Sequence, residues 1–292
     1  MKYFRYISLI VLLLITGSIV AQDSDNGNNE AKMDFNDGIA ELRKGNTNAA
    51  MEKFKAAIQK DANLAIAYYG LGITYSKKND YVNAEKNYQT AIEKDSKMVK
   101  AYTALGLLQL RQQRYIDAIS TFKAAVQIDP EETKAYWGIA DAYRRRDDYN
   151  SAIEYYQKAV EIDNSYASAW EGYGTCLYNL GRYIDAVEAL NAAIENESNR
   201  HNRADTYLRL GNSYVKLKNY SQAEEAYNNC IEVARNSTVR AGANFGLGEI
   251  YRDKGQKDNA IAYFQKASRD RNWQQSALYE IDLLKNGDKY TY

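Results

Sequence analysis

The sequence has one proline, one histidine and two cysteines in 292 residues. So little proline leaves room for long helical runs, because interior proline removes a backbone donor and clashes with the preceding turn. One histidine and two cysteines fall short of the four ligands a structural zinc site needs. Formal net charge is zero, so no global field draws the chain to nucleic acid or to an acidic membrane. No glycine-rich phosphate loop is present, and no nucleophile has a base beside it in sequence. These absences remove the usual signatures of an enzyme, and neither catalysis nor a cofactor is expected. Long apolar runs are confined to the first 21 residues.

That first segment reads as an export signal. Lys2 and Arg5 form a positive start, Ile7–Val20 is the apolar stretch, and Ala21 is the expected cleavage point. Ile19, three residues before the cut, is larger than the ideal small residue. The apolar run is short for a membrane span of about 20 residues; an uncleaved anchor facing out of the cytoplasm is the alternative. Either way the chain is expected to be exported, periplasmic or secreted. Gln22–Met33 is polar and rich in Asn, Asp and Gly, which predicts a flexible tether.

What the sequence has in quantity is tyrosine, 27 residues of it, and much of it is periodic. Tyr81 (KNDYVNA), Tyr115 (QQRYIDA), Tyr149 (RDDYNSA) and Tyr183 (LGRYIDA) are 34 residues apart, and Tyr220 (LKNYSQA) follows 37 later. A fixed period of 20–50 residues marks a stacked-repeat architecture. Seven repeats follow in frame: 31–64, 65–98, 99–132, 133–166, 167–203, 204–240 and 241–273. Each shows a helical apolar period, a polar turn and a second helical period. Small residues recur at the eighth place (Gly38, Gly72, Gly106, Ala140, Gly174, Gly211, Gly248) and at the twentieth (Ala50, Ala84, Ala118, Ala152, Ala186, Ala223, Ala260). They let helix backbones approach. Large residues recur at the twenty-fourth place: Phe54, Tyr88, Phe122, Tyr156, Leu190, Tyr227 and Phe264. These are expected to fill the space between helices.

The pattern resembles the tetratricopeptide repeat, W-x2-L-G-x2-Y followed by A-x3-F and a late proline. Tyr68, Leu71, Gly72, Tyr75, Ala84, Tyr88 and Ala91 carry it in the second repeat, and Trp170 stands at the first signature place of the fifth. Only Pro130 keeps the late proline. Asp34, Asp37 and Glu41 replace bulky residues in the first repeat, as expected of an end repeat with a solvated face. The resemblance implies an all-α, right-handed α-solenoid of seven helix-turn-helix units, and a partner that is a protein or peptide.

Two three-residue insertions, His201–Arg203 and Thr238–Arg240, precede the sixth and seventh repeats. They are expected to lengthen the second helices of the fifth and sixth by nearly a turn. In residues 274–292, Ala277, Leu278, Ile281 and Leu284 have helical spacing and predict a capping helix; the last residues form a tail. His201 reads as a surface residue. Cys176 and Cys230 occupy packing places and read as buried thiols, even in an exported chain.

The resemblance also implies a groove lined by first-helix places 2, 5, 9, 12 and 13. Those places hold the candidate partner-binding residues Phe35, Tyr69, Ile73, Lys100, Leu107, Arg111, Lys134, Trp137, Arg144 and Arg145. In the first four repeats Asp141 alone opposes the cations, whereas Glu171, Asp205, Glu249 and Asp253 gather in the last three. Lys and Arg at place 13 are partly explained by the helix dipole, but Lys100 and Lys134 at place 2 are not. An extended, acidic polypeptide with apolar anchors is therefore the expected ligand, and the chain reads as an envelope adaptor or scaffold. The family's lysine–asparagine carboxylate clamp is missing, since Leu208 precedes Asn212. Two alternatives stay open. One is glycan or small-ligand binding by Tyr69, Trp137, Tyr178 and Phe245; the other is a self-assembling array or homo-oligomer.

Overall fold

The computed structural model describes residues 28–286, and these are helical throughout apart from short turns. The export segment lies outside the described residues. Helix α1 covers residues 28–44. It is followed by α2 (Thr47–Lys60), α3 (Ala65–Lys77), α4 (Tyr81–Lys94), α5 (Val99–Arg111), α6 (Tyr115–Ile128), α7 (Thr133–Arg144), α8 (Tyr149–Ile162), α9 (Ala167–Asn179), α10 (Tyr183–Asn196), α11 (Arg203–Lys216), α12 (Tyr220–Val233), α13 (Ser237–Asp253), α14 (Lys257–Ala267) and α15 (Gln274–Asn286). None of the described helices is long and apolar enough to cross a membrane. The chain divides into two compact bodies, residues 1–135 and 136–292.

Each repeat is a helical hairpin, and its turn has one conformation. The fifteenth place takes positive φ in all seven: Gly45, Asn79, Gln113, Asp147, Gly181, Lys218 and Gly255. Left-handed backbone ends the first helix there. Asp80 and Asp148 then cap the second helix, accepting hydrogen bonds from the Asn83 and Ser151 backbone N–H at 3.2 Å. Gln113 and Lys218 hold this conformation with a Cβ, which costs about 1–2 kcal/mol per residue. Lys218→Gly is expected to raise stability by about 0.5–1 kcal/mol after the entropy of the freer unfolded chain is subtracted. Chemical denaturation reads this, and a loss of stability would contradict it.

In the N-terminal body α2 packs on α3, α3 on α4, α4 on α5 and α5 on α6. In the C-terminal body successive helices pack in the same way from α8 to α15. The twenty-fourth-place side chains are the core of each hairpin, as their spacing predicts: Phe54, Phe122, Tyr156, Leu190 and Phe264 are fully buried, and Tyr88 and Tyr227 nearly so. Glycine makes room for them. Phe54 lies between Gly38 and Gly70, where a Cβ on either would come within 2.6 Å of the ring. Tyr227 lies between Gly211 and Gly246, with 2.4 Å on each side. Both cysteines are free and buried, and burial pushes each thiol up to about 12.

The structure departs from the sequence reading at both ends. Residues 28–33, expected in the tether, already belong to α1, and Ala31 is fully buried. Asp37 is 60% exposed as expected, but Asp34 is 13% exposed and forms ion pairs with Lys53 at 3.1 Å and Lys60 at 2.8 Å on α2. Both lysines lower its pKa, the hydrogen bond from Lys60 most strongly. At the other end α15 covers Phe264 and Ala260 with Ala277 and Ile281, but Leu278 is exposed. Ala277 stands 34 residues after Ala243, so the cap is the first helix of an eighth repeat.

The insertions also act differently from the expectation. Helices α10 and α12 have 14 residues, the same as α4, α6 and α8. The extra residues extend the start of the next hairpin instead. Asn199 caps a 3₁₀ turn at Arg200–Asn202, and Asn236 starts α13 early, giving it 17 residues. An Asn side chain that accepts from a backbone N–H two residues on starts a helix more readily than the preceding helix extends through it.

Candidate functional site

In the N-terminal body the apolar members of the expected binding set other than Leu107 pack on the hairpin cores. Phe35 packs on Phe54, ring centroids 5.7 Å apart, and Tyr69 packs on Tyr88 at 6.0 Å. Ile73 is half-buried beside the same core, while Leu107 is 38% exposed. Arg111 holds its guanidinium 4.9 Å from the Tyr81 ring centre and donates to the Asn79 side chain at 3.2 Å. Lys100 and Lys134 are exposed. Between their fields lies Glu132, which the sequence reading missed because it ends a repeat. Burial raises its carboxyl above the usual range, Asp129 adds to the rise, and Lys134 and Lys100 pull it back. The hydroxyl of Tyr69 is also raised, by burial first and by Glu132 second.

In the C-terminal body the outcome is different. Arg144 and Arg145 are not a free basic pair. Asp141, 3% exposed, accepts from Arg144 Nε at 3.0 Å and from Arg145 Nε at 2.7 Å. The Tyr156 hydroxyl accepts from Arg144 Nε at 3.3 Å and donates to Asp141 at 3.4 Å. The expected basic stripe is therefore partly offset here, by one carboxylate against two guanidiniums. Places 9, 12 and 13 of one helix are i, i+3 and i+4 neighbours, so a carboxylate at the first meets both guanidiniums.

Asp141, Arg144 and Tyr156 form one wall of a cavity of about 160 Å³ whose other residues are Trp137, Ser168, Glu171, Gly172, Thr175 and Arg209. Trp137 is half-buried and meets Tyr166 edge-on at 6.2 Å. Burial raises the Glu171 carboxyl; Arg209 opposes this and Asp205 adds to it. Arg209 Nε stands 3.8 Å from Glu171, outside hydrogen-bond range, and has no hydrogen-bond partner. The cavity thus pairs an aromatic wall with one carboxylate and one guanidinium whose charges are incompletely matched. Arg209 was legible in sequence: place 6 is Gly or Ala in every repeat from the second to the seventh except this one.

The aromatics of the alternative reading are half-buried and packed on other rings. Phe245 is packed between Phe264 at 5.1 Å and Trp273 at 5.0 Å. Tyr178 leans on Tyr183 at 5.4 Å. Of the four aromatics proposed to hold a glycan, Trp137 lines this cavity.

Stacked helical hairpins with small residues at backbone crossings and no strand among the described residues define a helical repeat protein. Tetratricopeptide repeat profiles match residues 38–79, 69–133, 103–167, 165–236 and 202–272, and the chain belongs to that family. No curated protein matches it. Among solved structures it is similar to PilF of Pseudomonas aeruginosa, with 18% identity and a TM-score of 0.66 over 74% of this chain and 96% of that one. It is also similar to the C-terminal part of a TPR repeat-containing protein from Cytophaga hutchinsonii, with 19% identity and a TM-score of 0.65 over 85% and 99%. A third is YrrB, described as a TPR protein with an unusual peptide-binding site, with 24% identity and a TM-score of 0.52 over 65% and 96%.

Proposed function

We propose that this chain is a non-enzymatic adaptor of the cell envelope that holds an extended polypeptide against its first-helix faces. The observation that carries the reading is that Lys100, Leu107 and Lys134 are exposed in the N-terminal body, two cations and an apolar side chain at first-helix places 2 and 9. Apolar exposure flanked by charge is the mark of an interaction surface. Among the cations expected on the first-helix faces, the acidic preference is assigned to Lys100 and Lys134, since Asp141 already pairs with Arg144 and Arg145. The signal-like start Met1–Ala21 supports export. The peptide-binding site named for YrrB is consistent with a polypeptide ligand.

The test is a pull-down from envelope extract with the mature chain and with a Lys100→Glu/Lys134→Glu variant, at low and high salt. A partner held by the wild type, released by salt and lost at least tenfold in the variant is the expected result. Equal recovery by both proteins would remove the acidic-ligand reading. Loss on Trp137→Ala, insensitive to salt, would favour a glycan.

A further inference from the structure

A second cavity, of about 510 Å³, lies in the C-terminal body between α12, α13 and α14. Its size is in the range of specific ligand sites. Three separate departures from the repeat frame meet there. The fourth place holds an aromatic ring in the five preceding repeats (Tyr68, Tyr102, Tyr136, Trp170 and Tyr207) but Asn244 in the seventh. At the preceding junction, where Tyr207 holds that place, the corresponding cavity is about 280 Å³, and with Asn244 it is about 510 Å³. The twenty-ninth place is Gln or Glu in the first six repeats (Gln59, Glu93, Gln127, Glu161, Glu195 and Glu232) but Arg269 here. The insertion brings Arg240 to the same rim.

The lining is fixed by its own contacts. Arg240 anchors on the Ala234 carbonyl. Asn244, 7% exposed, donates to the Arg240 carbonyl at 2.8 Å. Lys266 stands 4.3 Å from the centre of the Tyr263 ring, which is stacked on Tyr251 at 5.3 Å. Asp270 is the one carboxylate present. It accepts from Ser237 at 2.8 Å, Thr238 at 3.2 Å and the Asn272 backbone N–H at 3.0 Å, so both its oxygens are already hydrogen-bonded. Three cations thus line this cavity, with Tyr263 and Ile231 as apolar walls.

We propose that this cavity receives an aromatic side chain of a partner polypeptide whose neighbouring residues are acidic. The ring takes the place that the chain's own tyrosine takes in earlier repeats, and the flanking carboxylates meet Arg240, Lys266 and Arg269. Charged groups of this kind set register and selectivity while the buried ring anchors the complex. The proposal rests on the adaptor reading only in making the occupant a polypeptide; it is a second site, away from Lys100 and Lys134 in sequence and in a different body.

The test uses the full chain and a fluorescein-labelled peptide Gly-Ser-Asp-Tyr-Glu-Ser-Gly, read by anisotropy at low ionic strength. Control peptides replace its tyrosine by alanine or its two acids by the corresponding amides. Asn244→Tyr and Arg269→Glu each restore the residue type of the frame, so both variants should fold, and circular dichroism melting checks it. Binding by the wild type, weakened at least tenfold by either variant and by either control peptide, is the expected result. Unchanged binding to Asn244→Tyr, equal binding of the alanine peptide, or no binding up to 1 mM peptide on the about 1 mM scale of weak recognition would each overturn the proposal. Retention by Asn244→Tyr with loss in Lys100→Glu/Lys134→Glu would overturn it while leaving the adaptor reading standing.

Discussion

Asp141→Ala is expected to lower the stability of the C-terminal body by about 3 kcal/mol, in the range for breaking a buried charged pair. The reason is what stays behind. The carboxylate side chain is 4% exposed and neutralises Arg144, itself 29% exposed. Removing it leaves a half-buried guanidinium against the fully buried Tyr156 ring, whose hydroxyl also loses a partner. Arg145→Ala removes the more exposed of the two cations, at 44%, and should cost below about 1 kcal/mol. The contrast between the two substitutions separates charge burial from simple ion pairing. Urea denaturation followed by circular dichroism measures both. Because repeats unfold with their neighbours rather than as one block, the first transition to move should be read. An Asp141→Ala loss no larger than that of Arg145→Ala would mean that Arg144 reaches water easily.

Tyr227→Ala is expected to be at least as damaging, at about 4 kcal/mol, because it deletes a fully enclosed ring. The ring is 2% exposed and fixed from both sides by Gly211 and Gly246. Its hydroxyl donates to the Asn212 side chain at 2.7 Å. Tyr227→Phe keeps the packing and should cost about 1 kcal/mol, the net value of one hydrogen bond. The glycines give an independent check. Alanine is favoured over glycine in a helix by about 1 kcal/mol, yet Gly211→Ala and Gly246→Ala should both destabilise. Either added Cβ would sit 2.4 Å from the ring, and the ring has no free side to move toward. A gain of stability in either variant would show that Tyr227 has space the structure does not give it.

Much of this was legible from the period. The tyrosines at 34-residue spacing, the small residues at places 8 and 20 and the large ones at place 24 predicted the hairpins, their turns and their core. A local frame suffices there, because each hairpin closes over a few residues and repeats contact their neighbours. The spacing of Ala277 and Ile281 likewise predicted the cap. The charge pattern of the binding face was less legible. A count of cations along the frame treats Arg144, Arg145, Lys100 and Lys134 as equals. Asp141 pairs with the first two, while Lys100 and Lys134 have no ion pair of this kind among the described residues and flank Glu132 in charge.

By itself the sequence determined the repeat, its register, the buried side chain at each place and the fate of both thiols. The reason is that helical period and residue volume are local properties that every repeat states again. Only the tertiary structure decided where the insertions went, that residues 28–33 join the first helix, and which charges are spent inside the fold. It also showed that Asn244, Arg269 and Arg240, separate exceptions along the chain, line one cavity. Those outcomes depend on which helices touch, and that contact is made by residues about 30 apart in sequence on helices that pack side by side.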